Sequence, residues 1–165
     1  MARPRRERVP HAEASDRLAS VVPHLARWIE RLLATHEPPL TVAQLLALEG
    51  AEEGLAGAEL AERAAVSPAA VSQLLAGLEH AGLVERLRAS EDRRRQTVAL
   101  TPAGRRTLRS VRAMLRRGLL PLVNVLRGPE AEALAAALDR LAPAVGATPP
   151  PRRPPPPPRG SRPHR

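Results

Sequence analysis

Arginine is concentrated in one part of this 165-residue sequence, between residues 86 and 117. That segment holds eleven arginines and two acidic residues, a net charge of +9, whereas residues 11–85 carry −7. A guanidinium group holds its N–H donors in a fixed fork that matches the oxygens of a phosphate. A strongly basic segment on an otherwise acidic body therefore predicts a surface that contacts nucleic-acid phosphates.

The two ends of the chain are also basic, but their composition does not favour folding. Residues 1–10 carry +3, and residues 147–165 carry +5 with nine prolines among them. Such segments cannot bury enough apolar surface to offset their ordering entropy. We therefore predict a disordered basic arm at 1–10, a disordered Pro/Arg-rich tail at 147–165, and one folded domain at 11–146. Because the two ends supply most of the total charge, the total charge by itself indicates little about the function of the folded domain.

A short amphipathic helix provides the second group of candidate residues. Ser67 is a good N-cap, and proline suits the first helical position that follows it. Apolar residues recur along one face of this helix, at Val71, Leu74, Leu75 and Leu78. The other side of the segment carries the candidates for DNA contact, which are Ser67, Pro68, Ala69, Ser72, Gln73 and Gly77. Gln73 can pair with adenine and Ser72 with a base or a phosphate, or both can simply be exposed polar residues.

A β-hairpin is predicted directly after this helix, because the apolar pattern changes to alternation. We expect one side to carry Leu83, Leu87, Val98 and Leu100, and the other to carry Arg86, Arg88, Arg95 and Thr97. The connection contains Asp92, Arg93 and Arg94. An arginine suits a narrow, negative minor groove, and a carboxylate two residues away can orient it. The alternative is a solvated charged turn that touches nothing.

The remaining elements are helical. A short helix at 58–64 precedes the helix that starts at Pro68, and two such helices joined by a tight turn form a helix-turn-helix. Longer amphipathic helices are predicted at about 16–35 and over 102–145. The predicted fold is thus mainly α with a small β-hairpin wing, and its winged core covers about 41–101.

Several classes of function are disfavoured by what the sequence lacks. There is no cysteine, and the five histidines show no spacing typical of metal ligands, so we predict no metal and no cofactor. No nucleotide-binding, protease or hydrolase motif is present, which argues against an enzyme. No apolar run is long enough to span a membrane and no signal peptide is visible, so we expect a cytoplasmic protein.

Three segments in this order resemble the MarR family of winged helix-turn-helix regulators. They are Leu60-Ala61-Glu62-Arg63 through Ser72, Leu78-Glu79-His80-Ala81-Gly82-Leu83-Val84, and Asp92-Arg93-Arg94 followed by Leu100-Thr101-Pro102-Ala103-Gly104. Together the motifs cover about 45 residues. The resemblance implies a homodimer that interlocks through its N- and C-terminal helices and binds a pseudo-palindromic operator in double-stranded DNA. It also implies repression that a small-molecule effector relieves.

The resemblance further implies that Ser67 to Gly77 enter the major groove, that Arg94 enters the minor groove, and that Asp92 orients Arg94. The sequence departs from the family pattern at Gln73, where many members have a basic residue. No cation lies between Ser67 and Glu79. We therefore expect phosphate contacts to come mainly from the wing, through Arg86, Arg88, Arg93, Arg94 and Arg95, and from the start of the next helix.

Two predictions lie outside this DNA-binding scheme. His24 and Trp28 are one helical turn apart and could line an effector pocket, although ordinary packing is the simpler interpretation. Pro154 to Pro158, flanked by arginines, resembles a proline-rich ligand for an aromatic groove. The chain could then be an interaction or architectural DNA-binding protein, whose basic tail adds non-specific DNA affinity.

Overall fold

The computed structural model describes residues 8–63, 66–88 and 96–147, with six helices and one two-stranded sheet in those ranges. In chain order they are α1 (Arg8–Ala34), α2 (Val42–Glu53), α3 (Gly57–Arg63), α4 (Pro68–His80), β1 (Val84–Arg88), β2 (Gln96–Leu100), α5 (Pro102–Val123) and α6 (Gly128–Ala147). This confirms the predicted fold, mainly helical with one β-hairpin. None of the described helices combines the length and apolarity needed to cross a membrane.

The first helix is longer than the sequence predicted. We expected it to begin near residue 16 and residues 1–10 to form a disordered arm, but α1 begins at Arg8. Alanine is a strong helix former, and three alanines lie between residues 12 and 19. An ion pair one turn apart, between Arg17 and Glu13 at 3.3 Å, supports the same turns. The rest of the arm and residues 148–165 of the tail lie outside the described residues.

The winged part of the molecule is built around one apolar core. Its most completely buried side chains come from α1, α2, α3, α4, β2 and α5, and are Leu33, Leu48, Leu60, Leu78, Leu100, Leu108 and Val111. Within the described ranges no polar or charged residue is buried. The core therefore fixes the inner faces of α4 and α5 and leaves their outer faces free for contacts with other molecules.

A threonine clamp ties the end of α4 to the start of α5. Thr101 is the N-cap of α5, and its hydroxyl accepts from Gly104 N at 3.0 Å while donating to Gly82 O at 2.6 Å. Gly82 has φ +67°, a left-handed backbone conformation that favours glycine. A Cβ on Gly104 would collide with the carbonyl of Leu83, so the close approach of these two segments also requires glycine.

The faces of the hairpin are not those that the sequence predicted. The strands pair Val84 with Leu100, Arg86 with Val98 and Leu87 with Thr97. Because partners across an antiparallel pair share a face, Arg86 lies on the side of the buried Val98, and Leu87 lies on the other side, 47% exposed. The prediction was wrong because it started the alternation at Leu83. That residue is buried but precedes the strand, which begins at Val84.

Candidate nucleic-acid interface

Helix α4 is anchored at its start and along its inner face. The Ser67 hydroxyl accepts from Ala70 N at 3.2 Å, and Pro68 occupies the first turn, as the sequence predicted. Val71, Leu75 and Leu78 are buried. The position of the helix is thus set by core packing and by its cap, so its outer side chains are not needed to hold it in place.

The outer face of α4 is small and neutral. Ala69, Ser72, Gln73 and Gly77 are all exposed, and none of them carries charge. The Ser72 hydroxyl donates to the Pro68 carbonyl at 3.0 Å, which leaves its oxygen free to accept a further hydrogen bond. A flat, uncharged helix surface of this kind allows close approach to the edges of base pairs.

The glycine at position 77 of this face is not required by packing within the described chain. Glycine inside a helix costs about 1 kcal/mol relative to alanine. A Cβ at Gly77 would meet no atom within 4 Å, so no contact within the described chain requires glycine there. The missing side chain leaves room on the outside of α4, where a partner molecule can approach.

Arg86 lies beside α4 rather than on the opposite side of the hairpin. Its Nε donates to Glu79 Oε2 at 3.1 Å, so a carboxylate of α4 holds the guanidinium against the helix. The sequence did not indicate this pair, because the seven-residue separation becomes a contact only through the turn at Ala81 and Gly82.

A groove of about 290 Å³ lies between α3, the first half of α4 and the hairpin. It is lined by Gly57, Ala58, Pro68, Val71, Ser72, Leu75, Arg86 and Val98. Three predicted DNA-contact residues, Pro68, Ser72 and Arg86, therefore meet at one groove, while Ala69, Gln73 and Gly77 occupy the adjoining outer face of α4.

The predicted wing is only partly described. Arg88 ends β1 and pairs through its backbone with Gln96, so residues 89–95 connect the strands. Asp92, Arg93, Arg94 and Arg95 belong to that connection and lie outside the described residues. The assignment of Arg94 to the minor groove, with Asp92 orienting it, remains a prediction.

The predicted effector residues lie on α1, away from this groove. His24 is exposed, and Trp28 is 36% exposed with its indole N–H donating to Gly118 O of α5 at 3.2 Å. The Arg31 guanidinium stands 5.7 Å from the centre of the Trp28 ring. These contacts fit a packing role for Trp28 at the α1–α5 crossing. Among the described residues no three His, Asp or Glu side chains are grouped as metal ligands.

An ion pair joins the two helices that precede α4. Arg63 at the end of α3 binds the carboxylate of Glu53 at the end of α2. The hydrogen bond from Arg63 holds the pKa of the Glu53 carboxyl below its usual value, against a smaller opposing effect of burial. The pair braces α3, the first helix of the helix-turn-helix, against α2.

Comparison with known proteins gives a consistent result. The family model described as MarR family matches residues 37–95, which include α2 to α4 and the predicted wing tip. By sequence, none of the curated proteins matches the chain.

Among solved structures, the chain is similar to two proteins of Mycobacterium tuberculosis. One is the MarR family protein Rv2887 in complex with p-aminosalicylic acid, at 26% identity over 78% of this chain and 97% of that one, with a TM-score of 0.65. The other is Rv1404, at 26% identity over 86% and 97%, with a TM-score of 0.69.

The transcriptional regulator BldR of Sulfolobus solfataricus shares the fold, at 23% identity over 84% and 99%, with a TM-score of 0.69. The capped, outward-facing α4, the hairpin beside it and the family match lead to one assignment. The chain is similar to the MarR family over residues 37–95 and is a DNA-binding transcription regulator of the winged helix-turn-helix type.

Proposed function

We propose that the protein is a homodimeric repressor that recognises a specific operator by inserting α4 into the major groove. The observation that carries this proposal is the small, neutral, exposed outer face of α4, whose inner face is packed into the core and where no atom of the described residues lies within 4 Å of a Cβ at Gly77. Sequence is recognised through base edges, and base edges are best approached by a surface without bulky or charged side chains.

Specific base contacts then come from Gln73 and Ser72. Gln73 offers an amide that can pair bidentately with adenine. The Ser72 oxygen, whose proton is used by the Pro68 carbonyl, is suited to accept from the amino group of adenine or cytosine. Ser67, Pro68 and Ala69 line the start of the helix, and Gly77 admits the DNA close to the helix axis.

Contacts that do not depend on sequence come from the hairpin. Glu79 holds Arg86 beside α4, where a phosphate at the edge of the major groove would lie. We expect further phosphate contacts from Arg88, Arg93, Arg94 and Arg95, with Arg94 in the minor groove and Asp92 orienting it. These assignments rest on the charge pattern and on the family resemblance.

Dimerisation is supported by apolar surface that the described chain leaves uncovered. Along α6 the exposed side chains Leu134, Leu138, Leu141 and Val145 recur at four- and three-residue spacing. Leu18, Val21 and Val22 of α1 are about half exposed or more. Amphipathic helices of this kind are stable when the apolar stripe is buried against another element. A second copy of α1 and α6 would supply that surface.

Regulation by a small molecule is proposed from the relatives. The similar protein Rv2887 was solved in complex with p-aminosalicylic acid, and we propose a small aromatic acid as the effector class here. His24 and Trp28 are the predicted contact residues. Trp28 is the only aromatic residue among Trp, Tyr and Phe in the sequence, so its fluorescence reports on that region without interference.

Selection of bound duplexes from a random pool, followed by footprinting, tests this proposal. We expect a pseudo-palindrome whose half-sites are about one helical turn, roughly 10 base pairs, apart. Sedimentation should give twice the mass of one chain. A single unpaired half-site, or enrichment of no sequence at all, would contradict the dimeric mode of recognition.

A further inference from the structure

Helix α5 carries six arginines and no acidic residue. The arginines are Arg105, Arg106, Arg109, Arg112, Arg116 and Arg117. All six are exposed, while Leu108 and Val111 of the same helix are buried in the core. Positions 105, 109, 112 and 116 follow four-, three- and four-residue spacing, which places them in one line along about 16 Å of helix. We refer to these four residues as the arginine stripe.

The stripe differs from α1 in having no compensating charge within its own helix. Arg17 and Arg27 of α1 each pair with a glutamate three or four residues away. Like charges at that spacing destabilise a helix, and the stripe contains only like charges. A bound polyanion would offset this repulsion.

Two members of the stripe have partners, and two have none. Arg105 donates to the Leu100 carbonyl at 2.9 Å, and Arg112 pairs with Glu52 at 2.8 Å and Glu49 at 3.6 Å. Within the described part of the chain, Arg109 and Arg116 make no ion pair. Their guanidinium groups are therefore available to bind an external anion.

The stripe begins away from the tip of the predicted wing. Helix α5 starts where β2 ends, and β2 extends about 13 Å from the residue nearest the hairpin tip to that point. The stripe thus begins at the end of the hairpin that is remote from its tip. Beyond Arg116 the same helix face continues with the exposed, apolar Leu120 and Val123, so the basic part of this face ends there.

We propose that the arginine stripe binds the phosphodiester backbone of duplex DNA beyond the base pairs that α4 contacts. This inference rests on the proposed function, because it presumes that α4 holds the operator. Arginine is favoured for phosphate by its fork of donors, and neighbours one helical turn apart, about 6 Å, can engage successive phosphates of one strand. The DNA is either the flank of the operator duplex or a second duplex.

The test uses the full chain with the double substitution Arg109→Gln and Arg116→Gln. Its matched control is Arg17→Gln with Arg27→Gln, which removes the same charge from exposed, paired positions on α1. On a long random duplex we expect the slope of log K against log salt to fall by about 2 units for the stripe variant. Affinity near 0.1 M salt should fall at least tenfold. The control should change both quantities much less.

Binding to different duplexes shows whether the stripe contacts the flank of the operator or a second duplex. If the stripe variant loses affinity for a long operator duplex, but not for the bare operator, the stripe contacts flanking DNA. In a second assay the protein is bound to operator on beads and a labelled duplex is added; if only the wild type captures the labelled duplex, the stripe contacts a second duplex. The failure of the two proposals can also be distinguished. If the wild type selects no operator from the random pool, the proposed function is contradicted, whereas the stripe is tested separately by the salt slope on random duplexes.

Three results would overturn the inference. One is a salt slope of the stripe variant equal to that of the wild type on long duplexes. Another is an equal loss for the control, which would indicate a general effect of net charge. The third is unchanged DNA binding with reduced binding of polyglutamate, which would assign the stripe to an acidic protein. Circular dichroism and the melting temperature establish that each variant is folded.

Discussion

The outer faces of α4 and α5 are opposite in character although one core supports both helices. From Ser67 to Glu79 the chain has no cation, whereas α5 has six arginines and no acid. Contacts to phosphates hold DNA of any sequence, and contacts to base edges distinguish one sequence from another. Under the two proposals above, attraction to DNA and discrimination between sequences come from separate elements.

This division makes the two contributions separable by mutation. In a recognition helix with its own lysines and arginines, one substitution changes affinity and specificity together. Here a substitution on α4 should change the ratio of specific to random binding. A substitution of a basic residue on the hairpin should instead change both affinities by the same factor.

The largest effect is expected at the predicted wing tip. Replacing Arg94 with alanine should lower affinity at least tenfold for the operator and for random duplexes alike, because a minor-groove arginine supplies both charge and fit. Titration of both duplexes by fluorescence anisotropy measures this, with Arg27→Ala as the control for an exposed arginine. Binding equal to that of the wild type would refute the wing assignment.

Next in size is the effect of Gln73→Ala on discrimination. A bidentate pair with adenine contributes about 1–3 kcal/mol of preference over other bases. We expect the operator-to-random ratio to fall by about fivefold or more, with random-duplex binding nearly unchanged. Repeating the duplex selection with the variant should show relaxed preference at one position of each half-site. An unaltered selected sequence would remove Gln73 from the recognised interface.

Much of the fold could be predicted from local patterns. The start of α4 followed from Ser67-Pro68, and its inner face from the three- and four-residue spacing of Val71, Leu75 and Leu78. The presence of a hairpin followed from the change to alternation. These signals depend on residues that are neighbours in sequence, so a single chain contains them.

The position of Arg86 could not be predicted in this way. Leu83 is buried because the turn after α4 folds it inward, with its N–H bonded to Leu78 O at 2.9 Å. A burial pattern that started from Leu83 therefore assigned Arg86 and Leu87 to the wrong faces. The pairing of Arg86 with Glu79 of α4 is likewise a property of the tertiary fold.

A smaller, two-sided effect should follow from Gly77→Ala. The change should raise the free energy of unfolding by up to about 1 kcal/mol, because alanine is the better helix former and no atom of the described chain obstructs its Cβ. It should also weaken operator binding by filling the space at the outer face. Urea unfolding and operator titration measure the two quantities. A variant that is more stable and binds normally would show that DNA does not approach α4 at Gly77.

The smallest effect concerns the ion pair that braces α3 against α2. Arg63 lowers the pKa of the Glu53 carboxyl below its ordinary 4.5 in the folded protein. The pair therefore stabilises the fold fully above that ordinary value, and its contribution is lost as the pH falls through the lower, folded pKa. Arg63→Gln should cost less than about 1 kcal/mol at neutral pH, since both side chains are partly exposed and screened.

Urea unfolding at pH 7 and near pH 3 tests this linkage. The wild-type advantage over Arg63→Gln should shrink at the lower pH, where Glu53 becomes protonated. Its persistence at full size would show that Arg63 stabilises α3 through packing of its stem rather than through charge. That result would change the comparison as well, because charge would then not hold α3 against α2, and the position of the helix-turn-helix would depend on its cap and on its apolar contacts.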